Sequence, residues 1–375
     1  MKFTKTHIFN QLESTLKDEH ALLRVLVGPR QVGKTTTTRK IFKQKKYQNH
    51  LYKSADGVET NQYFWLNELW QHARQEKVDW LVIDEIQKIE NWSEIIKKLH
   101  DEDRAANRKM RCLLLGSSSL QIQKGLSESL TGRFVLIQAY HWNYIESRQL
   151  YSFNFEDFLK YGGYPGSYQF LNGDKEVFTD YIQKSILSTV IEKDILTNHK
   201  VKSPALFKQA FEIASSYPAQ IISYTKLLGQ LQDKGNTDIV KYYLSLYEGA
   251  FLIKQIFKFS ERPVLQKTSS PKIIPLCPVF YYLSIQDHYR EDERGQVFEA
   301  LVGAALLRTS FEVTYWRDGR NEVDFILKKG RKLFAVEVKS GRRKKTKGLR
   351  AFCKHHPHAK PVFITPDNYT LLEKK

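Results

Sequence analysis

Two groups of residues in this sequence have the types and spacing to do chemistry. The first is Gly28-Pro29-Arg30-Gln31-Val32-Gly33-Lys34-Thr35, followed by Thr36, which satisfies every fixed position of G-x-x-x-x-G-K-[ST]. Its glycines let backbone N–H groups curl around phosphate oxygens, Lys34 adds a mobile positive charge, and the Thr35 hydroxyl can ligate Mg2+. Further on, Trp80-Leu81-Val82-Ile83 runs apolar into Asp84 and Glu85. An acidic pair alone is weak evidence, because a helix N-terminus also attracts acids. Behind a complete phosphate loop it is strong: Asp84 suits a metal held through water, and Glu85 suits polarising a nucleophilic water. The chemistry expected is Mg2+-dependent hydrolysis of a nucleoside triphosphate, ATP being the expected one. Ser117 and Ser118, after the apolar run Leu113-Leu114-Leu115, could orient water or the γ-phosphate, or simply cap the next helix. Arg133, in Leu130-Thr131-Gly132-Arg133, could complete a neighbouring subunit's nucleotide site or be a plain surface arginine.

The second group lies near the C-terminus. Asn321-Glu322-Val323-Asp324-Phe325-Ile326-Leu327 alternates as a strand, and the chain returns through Leu333-Phe334-Ala335-Val336-Glu337-Val338-Lys339. Glu337 and Lys339 share a strand face and Asp324 can join them. Asp followed by Glu-x-Lys on a hairpin partner is the PD-(D/E)XK nuclease arrangement, in which the carboxylates hold Mg2+ and the lysine orients or activates water. The alternative is an exposed hairpin of mixed charge, and Val323 stands where many such sites have proline. Residues 328–350 hold eleven Lys or Arg against one acid, so +10 of the chain's net +18 falls in 23 residues. Against a strand, this run suits phosphate contacts, which add affinity and salt dependence without sequence preference.

Elements must position these groups. Apolar runs at 22–27, 80–83, 112–115 and 134–137 alternate with amphipathic stretches, the pattern of a parallel α/β sheet. Residues 144–214 turn aromatic and helical around Gly162-Gly163-Tyr164-Pro165-Gly166. Next, 221–229 and 237–247 suit a helix-turn-helix, with Asn236 and Thr237 capping the second helix and Lys241, Tyr242 and Ser245 facing a groove. Residues 250–257 would form a wing strand. After a proline-rich connection from 263 to 278, helix, strand, hairpin and strand begin near Gly295. The expected parts are therefore a phosphate-loop core over 1–143, a helical region over 144–215, a winged-helix-like segment over 216–262 and an α/β end over 263–375.

The 375 residues are too many for one ordinary core, and 41% hydrophobic with 27% charged composition excludes a disordered or fibrous chain. The basic surplus favours a polyanionic partner, DNA first and RNA second. Apolar runs fall far short of a bilayer span, so no membrane role is expected. Three separated cysteines fit neither a disulfide framework nor a zinc site and suggest a cytoplasmic setting.

In combination, GPRQVGKTT, LVIDEIQKIENW, LLLGSSSL, SLTGRF, YGGYPG, EVDFIL and VEVKSG resemble prokaryotic AAA+ ATPases that carry a C-terminal domain of unknown function numbered 4143. The resemblance spans nearly the whole chain. It implies an ATPase core whose sensor strand lies between the phosphate-loop and acidic strands, then a winged helix and a nuclease-like end. It also makes Glu299 a further acid, at a place where relatives often carry one. The function expected is ATP hydrolysis by a possible homo-oligomer, with Arg133 acting in trans, that engages DNA and can cleave it through Asp324, Glu337 and Lys339. The alternative is an ATP-gated switch that binds DNA or protein and breaks no phosphodiester.

Overall fold

The computed structural model describes residues 5–18, 20, 22–117, 119–171, 173–231, 236–261, 266, 269–285, 293–341 and 346–374. Ser118 and Arg342, Arg343, Lys344 and Lys345 of the basic run lie outside the described residues. Two compact units emerge, Met1–Tyr140 with Glu192–Asn198, and His141–Ile191 with His199–Lys375. Among the described residues no helix is long and apolar enough to cross a membrane.

The first unit is built on a parallel sheet of β1 (Leu23–Val27), β2 (His50–Ser54), β3 (Trp80–Asp84), β4 (Arg111–Gly116) and β5 (Phe134–Gln138), in the order β2-β3-β4-β1-β5. The runs LRVLV and WLVID are buried along their whole length, as strands covered by helices on both faces must be. Because β4 stands between β1 and β3, the carboxyl ends of the phosphate-loop strand, the sensor strand and the acidic strand lie side by side. That rim is where open α/β sheets take ligands. β2 is an addition to the expected strands, and it carries Tyr52 to the same rim.

The second unit holds the helices Tyr144–Tyr151, Phe155–Tyr161, Pro204–Ser215, Tyr224–Gln230 and Thr237–Gly249. Asn236 caps the last of these, its side chain accepting from the N–H groups of Asp238 and Ile239. Lys241, Tyr242 and Ser245 are exposed on that helix. The strand β6 (Ile253–Ile256) pairs antiparallel with β7 (Lys272–Pro275), so the proline-flanked connection expected over 263–278 contains a strand. Prolines at 271 and 275 fit strand ends, where no ladder N–H is required.

The C-terminal sheet of the same unit runs β11-β10-β9-β8, made of β8 (Glu312–Asp318), β9 (Asn321–Lys329), β10 (Lys332–Val338) and β11 (Lys360–Ile364). Phe325, Val336, Val338 and Ile364 pack with Phe298, Leu301 and Val302 of the helix Arg294–Leu306. Val323, Ile326, Leu333 and Ala335 pack with Leu349 and Phe352 of the helix Lys347–His355. Gly303 allows the first helix to lie close, since a Cβ there would stand 2.9 Å from the Phe325 ring. Residues 144–161, β7 and the sheet share the first of these cores.

Strand β9 departs from simple alternation. Its register against β8 shifts from Thr314 opposite Ile326 to Trp316 opposite Val323, so Asp324 and Phe325 together face Tyr315. One extra residue at Asp324 sends Val323 and Phe325 to opposite faces and re-aims the carboxylate, a common use of a β-bulge beside a functional site.

Candidate functional site

At the sheet rim of the first unit, β1 ends at Val27 and the loop from Gly28 delivers the helix Lys34–Phe42. Gly33 adopts φ +91 as the helix cap and supplies no side-chain hydrogen bond to the first turn, so the N–H groups there remain to meet an anion. Gly28 lies tight against Ala139: an added Cβ would stand 2.6 Å from the Ala139 Cβ and carbonyl oxygen. Gln31 also takes a left-handed conformation, at φ +60. Val32 is buried and Thr36 exposed.

The Lys34 ammonium is buried, and its Nζ donates to the carbonyl oxygens of Gly28 at 2.9 Å and Pro29 at 2.6 Å. Burial pushes its pKa down to about 8, against the opposing pull of Glu85. Thr35 Oγ1 donates to Asp84 Oδ2 at 2.8 Å, so two groups separated by 49 residues meet where a hard cation needs oxygens. The Tyr52 hydroxyl donates to the same oxygen at 2.5 Å, and burial together with that carboxylate raises the phenol's pKa.

Glu85 follows at φ +54, a left-handed conformation that a non-glycine residue holds at a cost of about 1–3 kcal/mol. Its Oε2 accepts from Ser117 Oγ at 2.9 Å and from Gln87 Nε2. The carboxylate is thereby held at the rim between β3 and β4. Lys34, Thr35, Asp84, Glu85 and Ser117 thus form one site, and the sequence reading missed Tyr52 and Gln87.

Two other expected residues sit differently. Arg30 makes a bidentate pair with the buried Asp194, both contacts 2.6 Å, so its side chain is fixed across 164 residues of sequence while its backbone remains part of the loop. Arg133 lies at the opposite end of the sheet from the phosphate loop, its carbonyl accepting from Leu23 N at the start of β1. Its guanidinium pairs with Asp101 at 2.9 and 3.0 Å. It does not join its own chain's Lys34 and Glu85.

In the second unit the hairpin brings Asp324, Glu337 and Lys339 together. Asp324 Oδ2 accepts from Val338 N at 2.7 Å, and Lys339 Nζ donates to Glu337 Oε1 at 2.6 Å. Glu299 is elsewhere engaged, its Oε1 accepting from Lys272 Nζ at 2.7 Å. Burial raises the Glu337 and Glu299 carboxyls to about 7; the Asp324 charge adds to both shifts, while Lys339 opposes the first and Lys272 the second. Burial also raises Asp324. Among the described residues no group of three or more His, Cys, Asp and Glu side chains converges as a metal cage.

A cation nonetheless fits the Asp324–Glu337 pair. Glu337 is 6% exposed, and its Oε2 is buried with no hydrogen-bond partner, an acceptor that a buried site does not leave idle without reason. The basic residues Lys328, Lys329, Arg331 and Lys332 are exposed around the far turn of the hairpin, and Lys347 and Arg350 on the helix over β9.

Comparison with known proteins finds three family matches along the chain. Residues 21–159 match the AAA domain family, 294–372 match the domain of unknown function DUF4143, and 152–275 match a second domain of unknown function, DUF8612. An uncharacterized protein of Methanocaldococcus jannaschii is 24% identical over 270 residues, 66% of this chain and 58% of its own length. One from Haemophilus influenzae is 23% identical over 285 residues, 71% of this chain and 66% of its own. The chain thus spans less than two thirds of the length of either. Among solved structures, AMPPCP-bound DnaA of Aquifex aeolicus shows 11% identity over 66% of this chain and 89% of its own, with a TM-score of 0.34. RuvB of Thermotoga maritima shows 17% identity over 67% of this chain and 88% of its own, also at 0.34.

Proposed function

Because the chain joins an AAA domain to a DUF4143 domain, we propose that it is a Mg2+-dependent ATPase that engages DNA through its C-terminal unit. The observation that carries the ATPase is the meeting of Thr35 with Asp84 beside the buried Lys34 and the Ser117-held Glu85. Lys34 exchanges two loop carbonyls for phosphate oxygens. Glu85 takes the proton of the attacking water, and the hydrogen bonds from Ser117 and Gln87 fix the carboxylate for that transfer. Mg2+, when bound, would be held by Thr35 directly and by Asp84 through water, and would offset charge on the phosphates.

Arg133 serves a neighbouring subunit's nucleotide in this reading. A partly exposed pair such as Arg133–Asp101 is weak enough to exchange one partner for another. Arg133→Ala is expected to bind ATP as the wild type does and hydrolyse it at least about tenfold more slowly. Phosphate release should recover in part when this variant is mixed with Lys34→Ala, because an intact nucleotide site then meets an intact arginine. A mixture that gains nothing removes the arginine from catalysis in trans.

In the C-terminal unit, Asp324 and Glu337 would hold a divalent cation, which when bound would offset charge on a scissile phosphate, and Lys339 would orient the attacking water. Lys328, Lys329, Arg331, Lys332, Lys347 and Arg350 contact the nucleic-acid backbone, and Lys241, Tyr242 and Ser245 of the helix Thr237–Gly249 face its groove. The test incubates metal-stripped protein with linear and circular DNA plus Mg2+ or Mn2+, with and without ATP, beside Asp324→Ala. Cleavage by wild type but not by the variant is the expected result. Retained DNA binding without cleavage in either protein turns the reading to a nucleotide-gated binding switch.

A further inference from the structure

Lys272 is 1% exposed, and nothing in the chemistry above uses it. Its Nζ stands 2.7 Å from Glu299 Oε1, 3.3 Å from Glu322 Oε1 and 3.3 Å from the Asp324 carbonyl oxygen. It also lies over the rings of Phe325, at 5.4 Å, and Tyr315, at 5.9 Å. Two carboxylates within ion-pair distance, Glu299 and Glu322, provide the counter-charge that a buried ammonium needs. The lysine thus sits among carboxylates with its ammonium paired to two of them.

Lys272 and the Glu337 side chain lie on opposite faces of the sheet. Phe325, Phe334, Val336 and Val338 face the helix Arg294–Leu306, which brings Glu299, and Lys272 lies over Phe325 on that side. Leu333 and Ala335 face the helix Lys347–His355, and strand alternation puts Glu337 with them. The bulge places Asp324 between the two sides, with its carbonyl toward Lys272 and its Oδ2 on Val338 N. Charge is counted over both sides together. Glu299, Glu322, Asp324 and Glu337 carry four negative charges when ionised, Lys272 and Lys339 two positive ones, and the excess of two equals one divalent cation.

We propose that Lys272 is the built-in cation of the Glu299 side of this cluster, so that the site takes one divalent ion, on Asp324 and Glu337, and not two. Glu299 is then a positioning residue that holds Lys272 against the Asp324 carbonyl. The inference rests on the reading of Asp324 and Glu337 as a metal pair, and two measurements keep the claims apart.

The first is thermal melting of the metal-free full chain. Lys272→Met and Glu299→Gln each strand a buried partner, and each should lower Tm by on the order of 10 °C. The double variant strands neither and should melt well above the sum of the single losses. Additive losses overturn the role of Lys272. The second measurement counts Mn2+ bound to nucleotide-free protein by electron paramagnetic resonance. Asp324→Asn should lose one Mn2+ per chain, whereas Glu299→Gln should keep it within about threefold of wild-type affinity. Loss of two ions in Asp324→Asn, or a tenfold weakening in Glu299→Gln, overturns the single-cation site. If Asp324→Asn loses none, the metal pair itself is wrong and the stoichiometry falls with it.

Discussion

A Lys34→Ala variant is expected to bind ATP about a hundredfold more weakly than the parent chain. The ammonium is buried and held by two loop carbonyls, so it stands ready over the phosphates and loses little freedom on binding. Charge-assisted hydrogen bonds contribute about 1.5–3 kcal/mol each, and loss of roughly 3 kcal/mol is two orders of magnitude in Kd. Folding should survive, because alanine leaves no stranded charge and suits a helix's first turn. Titration with a fluorescent ATP analogue reads the change directly. Affinity within threefold of wild type would defeat the phosphate-loop assignment.

Glu85→Gln separates binding from turnover. Glutamine keeps the shape of the side chain and an oxygen that can still accept from Ser117 Oγ, which lies 2.9 Å from the carboxylate. The left-handed backbone at φ +54 is unaffected by the exchange. What disappears is a group able to take a proton from water. General-base contributions run about 10²–10⁴-fold, so hydrolysis should fall by at least about a hundredfold while ATP affinity stays within about threefold. Single-turnover phosphate release distinguishes the two effects. Wild-type turnover in this variant would move the base elsewhere, and loss of binding would make Glu85 a structural residue.

Much of the candidate nucleotide site was legible because its parts are local. A phosphate loop lies within eight consecutive residues, and a fully buried parallel strand announces itself as an unbroken apolar run, as LRVLV and WLVID do. The strand β2 was not legible. Its sequence HLYKS mixes types because it sits at a sheet edge and is only half-buried, so Tyr52 and its bond to Asp84 went unseen. The Arg30–Asp194 pair spans 164 residues, which no spacing rule reaches.

In the C-terminal unit the hairpin and its carboxylates follow from alternation, but the bulge at Asp324 does not, since one extra residue leaves no mark in composition. Lys272 was missed for a different reason. The segment PKIIP has too few residues to show a period, and its prolines resemble those of a connection. A lysine there suggests solvent, and only the fold shows three acidic residues closing around it. Burial of a charged side chain is decided by what arrives from elsewhere in the chain.

The central claim is that the phosphate loop, Asp84 and Glu85 form a working hydrolytic site. Release of inorganic phosphate from ATP by the purified full chain, with Mg2+ and with a chelator, beside Glu85→Gln, tests it most directly. Phosphate release that requires Mg2+ and falls at least about a hundredfold in the variant is the predicted result. A wild-type chain that binds ATP yet releases phosphate no faster than Glu85→Gln would contradict it.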